Sequence, residues 1–442
     1  MRSTIREQPG LLPGWSNERS ARELQKASEI LDQHPELEGL VYLDLTVGLD
    51  STRGGDGLTA RQVLRIALLK RMRKLSYRDL EFTLSDSRSA RTFCALGLDK
   101  PSPKKSALRD NVAKIRAETW ELINGVLVRH AQAAGVEDGD RVRGDCTVVE
   151  SNVHAPSDSS LLWDVVRVLT RTMERAKERF GVGYASKLAK KAKRLHTQIF
   201  YARTNDKRPP AYRKLIAKTE EVMEEATRVV ELIKSRRRSA KLRDQIARFI
   251  LLGGRVIAQA TRRVLLGQQV PASEKIVSVF ETHTDVVVKS WRETFFGHKI
   301  SLTAGKSGLV IDCVIEEGNP ADSTLPVRMI ERVARVLGLV PRQVAFDGAF
   351  SSADNLAELK ARGVEDVCFS KHPGIPVDDM ASSRRTFRRL RKFRAGVEAT
   401  ISRLKRCFEL RRCNWQGDAG FKSYVWSAVV AANLQTLARA LL

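Results

Sequence analysis

Cysteine is scarce, with six in 442 residues, and none stands in a C-x-x-C pair. Cys94, Cys146, Cys313, Cys368, Cys407 and Cys413 fall mostly within runs that read as strands or helices. That pattern excludes a zinc ribbon or a disulfide frame and favours reduced packing thiols of a cytoplasmic chain. Cys407 and Cys413 lie close together, but no histidine accompanies them as a further metal ligand. Long apolar runs are missing as well. No stretch approaches the roughly 18 residues of a membrane helix, and no secretory signal is read at the N-terminus. Aromatics are sparse at 6%, so stacking on bases would fall to isolated rings such as Trp415, which alone reads as core. Acids are outnumbered: 52 Asp and Glu stand against 77 Lys and Arg, a net charge of +25. That balance points to a polyanionic partner and away from a membrane.

A chain of this length buries a sizeable core and holds two or three domains. Residues 1–14 read as a disordered arm, and a helix is expected over 17–31. Glycines at 54–57 mark a linker. Thr59 is a candidate N-cap for a helix through Arg71, Ser76 caps a second, and another begins near Ser89. After Pro101 and Pro103, Ser106 opens a helix expected to reach about Ala134. Next comes a β-branched strand from Arg141 to Val149. The segment from about Leu161 to Leu266 is strongly helical, with a basic run from Lys187 to Arg194. Within it Leu215, Val222 and Val229 recur every seven residues and Ile233 continues the face, as in a helical hairpin or coiled coil. Such an insertion could be a spacer, a clamp on DNA flanks or a dimer arm. Beyond Pro271, strands are expected at Ile276–Phe280, 285–289, 296–303 and 308–315, then over 344–347 and 364–369, with helices between. The last helix, from Phe421 to Leu442, reads as amphipathic.

Three acids share an uncommon setting. Asp145 lies inside a strand and Asp347 ends one, although a carboxylate beside a sheet core costs desolvation unless a positive charge compensates. Glu398 lies on a helix between Lys392 and Lys405, four residues after Arg394 and seven before Lys405. Val397, Ile401 and Leu404 form the apolar stripe of that helix. Asp285, Asp312, Glu150 and His298 are weaker candidates. Asp312 is expected to face solvent by strand alternation, and His298 to be a hydrogen-bonded sheet residue.

Strand-Asp, strand-Asp-Gly and helix-Glu in this order resembles the DDE transposases of bacterial insertion sequences, which have an RNase H-like core. The Glu398 helix resembles their Tyr-Arg-Glu-Lys signature, with Arg394, Glu398 and Lys405 in register and Arg391 where the Tyr would stand. The resemblance implies an α/β RNase H-like core, a mixed sheet flanked by helices. It also implies an all-helical N-terminal domain and a long helical insertion after the first core strand. The boundaries expected are 1–57 for the arm and first helix and 58–137 for a helical DNA-binding domain. The first core strand takes 138–160, the insertion 161–270, and the rest of the core with the C-terminal helix 271–442. The resemblance further implies two Mg²⁺ ions, which Mn²⁺ may replace, held by Asp145, Asp347 and Glu398. Arg394 and Lys405 would contact phosphates, with Arg388, Arg389, Arg391 and Lys392 lining a DNA channel. The expected partner is double-stranded DNA, both element ends and target, bound by at least a homodimer. A DNA-binding descendant that no longer cuts, and a nuclease without strand transfer, are the readings left open.

Overall fold

The computed structural model describes residues 15–48, 57–97, 100–184, 187–202, 208–290, 293–370 and 374–442. The arm expected at 1–14 and most of the glycine linker lie outside them. The chain divides into two compact units, 1–150 with 298–442, and 151–297.

The first unit begins with helices. α1 (Arg19–Asp32) buries Leu24, Ala27, Ile30 and Leu31 along one face. α2 (Glu36–Thr46) was not apparent from periodicity, because its apolar residues form no clear stripe. α3 (Ala60–Met72) opens on a capping box, in which Thr59 and Gln62 each accept the other's backbone N–H. α4 (Tyr77–Asp86) and α5 (Arg88–Phe93) are capped by Ser76 and Ser87. The single helix expected from Ser106 is two, α6 (Lys105–Val112) and α7 (Ala117–Ala133). Distant partners fix the break. Asp44 accepts from the backbone N–H and the guanidinium of Arg116, and the Ser423 hydroxyl donates to the Ile115 carbonyl. β1 (Arg141–Glu150) follows.

The second unit is a helical bundle with a short hairpin. α8 (Asp158–Phe180), α9 (Lys187–Phe200), α10 (Arg208–Ile233) and α11 (Ala240–Ala260) enclose Leu162, Val165, Leu169 and Val256. Leu215, Val222, Val229 and Ile233 are all buried, so the seven-residue repeat closes its apolar face within the unit. β2 (Asp285–Ser290) pairs antiparallel with the start of β3 (Glu293–Gly305), Asp285 opposite Gly297. The strand expected at Ile276–Phe280 is absent. The Gln259 side-chain amide takes both the N–H of Ile276, at 2.8 Å, and its carbonyl, at 3.2 Å, where a ladder would have used them.

Back in the first unit, β3 continues and pairs antiparallel with β4 (Val310–Ile315). α12 (Pro326–Leu337), β5 (Gln343–Phe346), α13 (Ala353–Ala361), β6 (Asp366–Phe369) and α14 (Val377–Met380) follow. The chain closes with α15 (Arg384–Cys407) and α16 (Gly417–Ala440). The sheet of this unit runs β4-β3-β1-β5-β6, with β1, β5 and β6 mutually parallel. It is a mixed sheet flanked by helices.

Two expectations fail here for one reason. α16 is buried almost all round rather than amphipathic, because its polar residues find partners inside. Asn433 accepts from the N–H of Val310 and donates to its carbonyl, while Ser427 accepts from Arg71. Asp312 is likewise buried, not solvent-facing, and both its oxygens accept from Arg332. His298 is buried against the Phe421 ring. Trp415 packs partly buried on the core beside Tyr424. The cysteines are free thiols, mostly buried. Among the described residues, no helix is long and apolar enough to cross a membrane.

Candidate active site

Two neighbouring parallel strands and one helix of the first unit carry the site. β1 presents Asp145 at its middle, with the side chain 19% exposed. One carboxylate oxygen accepts the N–H of Cys146 at 2.7 Å, which fixes the rotamer. β5 runs parallel beside it, Arg143 opposite Ala345, and ends just before Asp347. Asp347 is therefore delivered to the same end of the sheet. Its Oδ1 accepts from Ser370 at 2.7 Å, and Ser370 stands just beyond β6. No sequence pattern singled out Ser370. The one available signal was its place after a short buried strand.

α15 brings the third acid. Ser383 caps it by accepting the N–H of Thr386, and Phe387, Leu390, Val397 and Leu404 are buried against the sheet. Ile401 of the expected stripe is only partly buried. Close approach to β1 depends on Gly396, where a Cβ would meet the Arg143 guanidinium. Arg143 also escaped sequence reasoning. It donates to the Phe393 carbonyl at 3.0 Å and lies over the Phe393 ring, tying β1 to the helix. Burial pulls its guanidinium pKa down. Gly144, just before Asp145, has the Phe346 ring where a Cβ would go.

The arrangement converges on Arg394. Its guanidinium lies 3.1 Å from Asp145, 2.8 Å from Glu398 and 3.8 Å from Asp347. One cation thus joins acids from β1, the end of β5 and α15. The carboxylate oxygens of the three do not all fall within 4.8 Å of one another, because the guanidinium stands between them. In kind the donors suit a hard divalent cation: they are all oxygen, all anionic, and come from different elements. Glu398 is 62% exposed and Asp347 41%, so both are open to solvent and to a substrate.

The other bases expected here lie along the same helix. Arg388, Arg389, Arg391 and Lys392 are exposed. Arg389 donates to Gln343 and Arg388 to the Arg384 carbonyl. Lys405 is partly buried two turns beyond Glu398. The helix is basic over most of its length, with a single acid, Glu398. Asp366 is close in sequence to the site but is spent on structure, accepting from Gln343 and the Ser382 N–H.

Comparison with known families gives two matches. The family described as Transposase DDE domain matches residues 282–434. The family described as Transposase domain (DUF772) matches residues 17–114. Together they cover more than half of the chain. Neither the curated proteins nor the solved structures gave a match. The first match includes Asp347 and Glu398, and the second spans the region of α1 to α6. Such transposases act on DNA and generally use divalent metal ions. With both matches in chain order around a sheet that gathers three acids, this chain belongs to the DDE transposases of insertion sequences.

Proposed function

We propose that this chain binds the ends of its mobile element, cleaves DNA there and joins the freed 3′-hydroxyl to target DNA. The observation that carries the reading is the meeting of Asp145, Asp347 and Glu398 around one guanidinium. The strand order β4-β3-β1-β5-β6, with an antiparallel flank and a parallel centre, supports an RNase H-like core.

Phosphodiesters resist attack because their anionic oxygens repel nucleophiles and the alkoxide leaves poorly. When bound, two Mg²⁺ ions, for which Mn²⁺ can stand in, would supply Lewis-acid activation of the attacking oxygen and charge neutralisation at the leaving one. Asp145, on the central strand, would hold such an ion together with Asp347 and Glu398. Arg394 compensates the three carboxylates and positions phosphate nearby. Lys405 with Arg388, Arg389, Arg391 and Lys392 holds the backbone without reading sequence. The helices of 58–137 form the DNA-binding domain. Two ends must be processed together, so the working form on DNA is at least a dimer, acting in the cytoplasm beside the chromosome.

The test is a plasmid carrying the element ends, incubated with the full chain and Mg²⁺. Asp145→Asn, Asp347→Asn and Glu398→Gln should each abolish strand cleavage while DNA binding, read by fluorescence anisotropy, survives. Cleavage retained by any of the three refutes its assignment. Cleavage without joining of pre-cut ends leaves a nuclease instead.

A further inference from the structure

We propose that α9 of the second unit is a DNA-tracking surface, and that Phe200 and Tyr201 at its end stack on unpaired bases. The proposal rests on the reading that the partner is DNA, and goes beyond it by placing a second contact surface outside the acid site.

α9 carries Lys187, Lys190, Lys191, Lys193 and Arg194 and no acidic residue. Its apolar side is committed to the bundle: Ala192 and Ile199 are buried, and Leu188, Ala189 and Leu195 pack on the same core. Lys190, Lys191, Lys193 and Arg194 are exposed. Some neighbouring bases are neutralised locally, Lys218 by Glu221 and Arg228 by Glu225 on α10, and Lys234 just past it by Glu231. No described carboxylate pairs with any of the four on α9. Like charges three and four residues apart destabilise a helix. A row of phosphates reverses that cost, and cations one turn apart meet successive phosphates of one strand.

The row ends in two adjacent rings. Phe200 is 67% and Tyr201 74% exposed, and the rings meet edge to face at 5.1 Å. In a chain with 6% aromatics, two such rings side by side beside a basic row have the make-up of a base-stacking platform. A second copy of the chain is the competing occupant. It carries the same +25 and would be repelled by the row.

The experiment uses the full chain in EDTA, so that cleavage does not enter. Its probes are a blunt 20-base-pair duplex and the same duplex with a short 3′ overhang bearing 2-aminopurine at the junction. Affinity is measured by anisotropy between about 50 and 200 mM KCl. K190A/K191A/K193A/R194A should lower the slope of log affinity against log salt by about 2 to 3.5 on both probes, since each phosphate contact contributes about 0.9. The milder K190Q/R194Q should show about half that change. F200A/Y201A should keep the salt slope, lose roughly tenfold on the overhang probe only, and abolish the 2-aminopurine quench. Melting curves equal to wild type establish that the variants fold, as expected where only exposed side chains change. An unchanged salt slope in both charge variants overturns the proposal, as does a shift in light-scattering mass without a change in DNA affinity. Failure of the catalytic reading would appear instead in the plasmid assay, with these binding slopes intact.

Discussion

Replacing Arg394 with Gln removes a cation that, among the described residues, Asp145, Asp347 and Glu398 share. The cost follows from how sheltered each pair is. Asp145 and Arg394 are 19% and 15% exposed and 3.1 Å apart, so this charge-assisted hydrogen bond is worth about 1.5–3 kcal/mol. Glu398 is 62% exposed, and its contact adds about 0.5 kcal/mol. Asp347 stands at 3.8 Å and is 41% exposed, which leaves a few tenths. The total is about 2–4 kcal/mol, or roughly 3–6 °C in melting temperature for a unit of this size. The drop should appear in EDTA by differential scanning fluorimetry. Millimolar Mg²⁺ should then raise the melting temperature of the variant more than that of wild type, because the cation no longer competes with a guanidinium for the carboxylates. Equal melting temperatures in EDTA would refute the reasoning. So would an equal rise on adding Mg²⁺, which would mean that the guanidinium does not compete with the ion for the acids.

Two further outcomes follow from buried groups near the sheet and the helical region. Gly144→Ala pushes a methyl into the Phe346 ring and should cost about 1–3 kcal/mol by urea unfolding; a neutral result would show that the ring can give way. Lys70 is buried, and burial lowers its pKa from 10.5 to about 8. Below pH 8 it is charged in both folded and unfolded chains, and the cost of burying that charge is fully present. Between about pH 8 and 10.5 the unfolded chain binds the proton and the folded one does not, so this group's contribution to stability rises with pH. Lys70→Met keeps the stem against the Tyr77 ring and should stabilise the protein by about 2–3 kcal/mol at pH 7, with the advantage shrinking by pH 10. An advantage that does not depend on pH would mean that Lys70 is not the titrating group.

What could be read from the sequence was local. Thr59 and Ser76 cap helices within three residues of themselves, and Asp145 sits in a run of β-branched residues. The Arg394–Glu398 pair was written in i,i+4 spacing. The errors share a cause, which is that a partner far along the chain decides. The α6–α7 break is held by Asp44, 72 residues before Arg116. The backbone of Ile276 is satisfied by Gln259 on the preceding helix. α16 has an amphipathic pattern in sequence, but its Ser427 and Asn433 bond to α3, α7 and β4.

The same distinction bears on the acids. Asp145 and Asp347 come to one end of the sheet only because β1 and β5 are parallel neighbours, a fact of strand order that no local pattern states. Two positions beside the acids have no room for a side chain. At Gly144 the Phe346 ring fills the space a side chain would need, and at Gly396 the Arg143 guanidinium does. These two glycines adjoin or nearly adjoin Asp145 and Glu398, so the backbone is thinnest where the acids must approach. A substitution at either would act on the site through distance, without touching a carboxylate. For that reason Gly396→Ala, in which Arg143 can swing aside at its flexible end, should disturb the site less than Gly144→Ala, which meets a ring packed in the core.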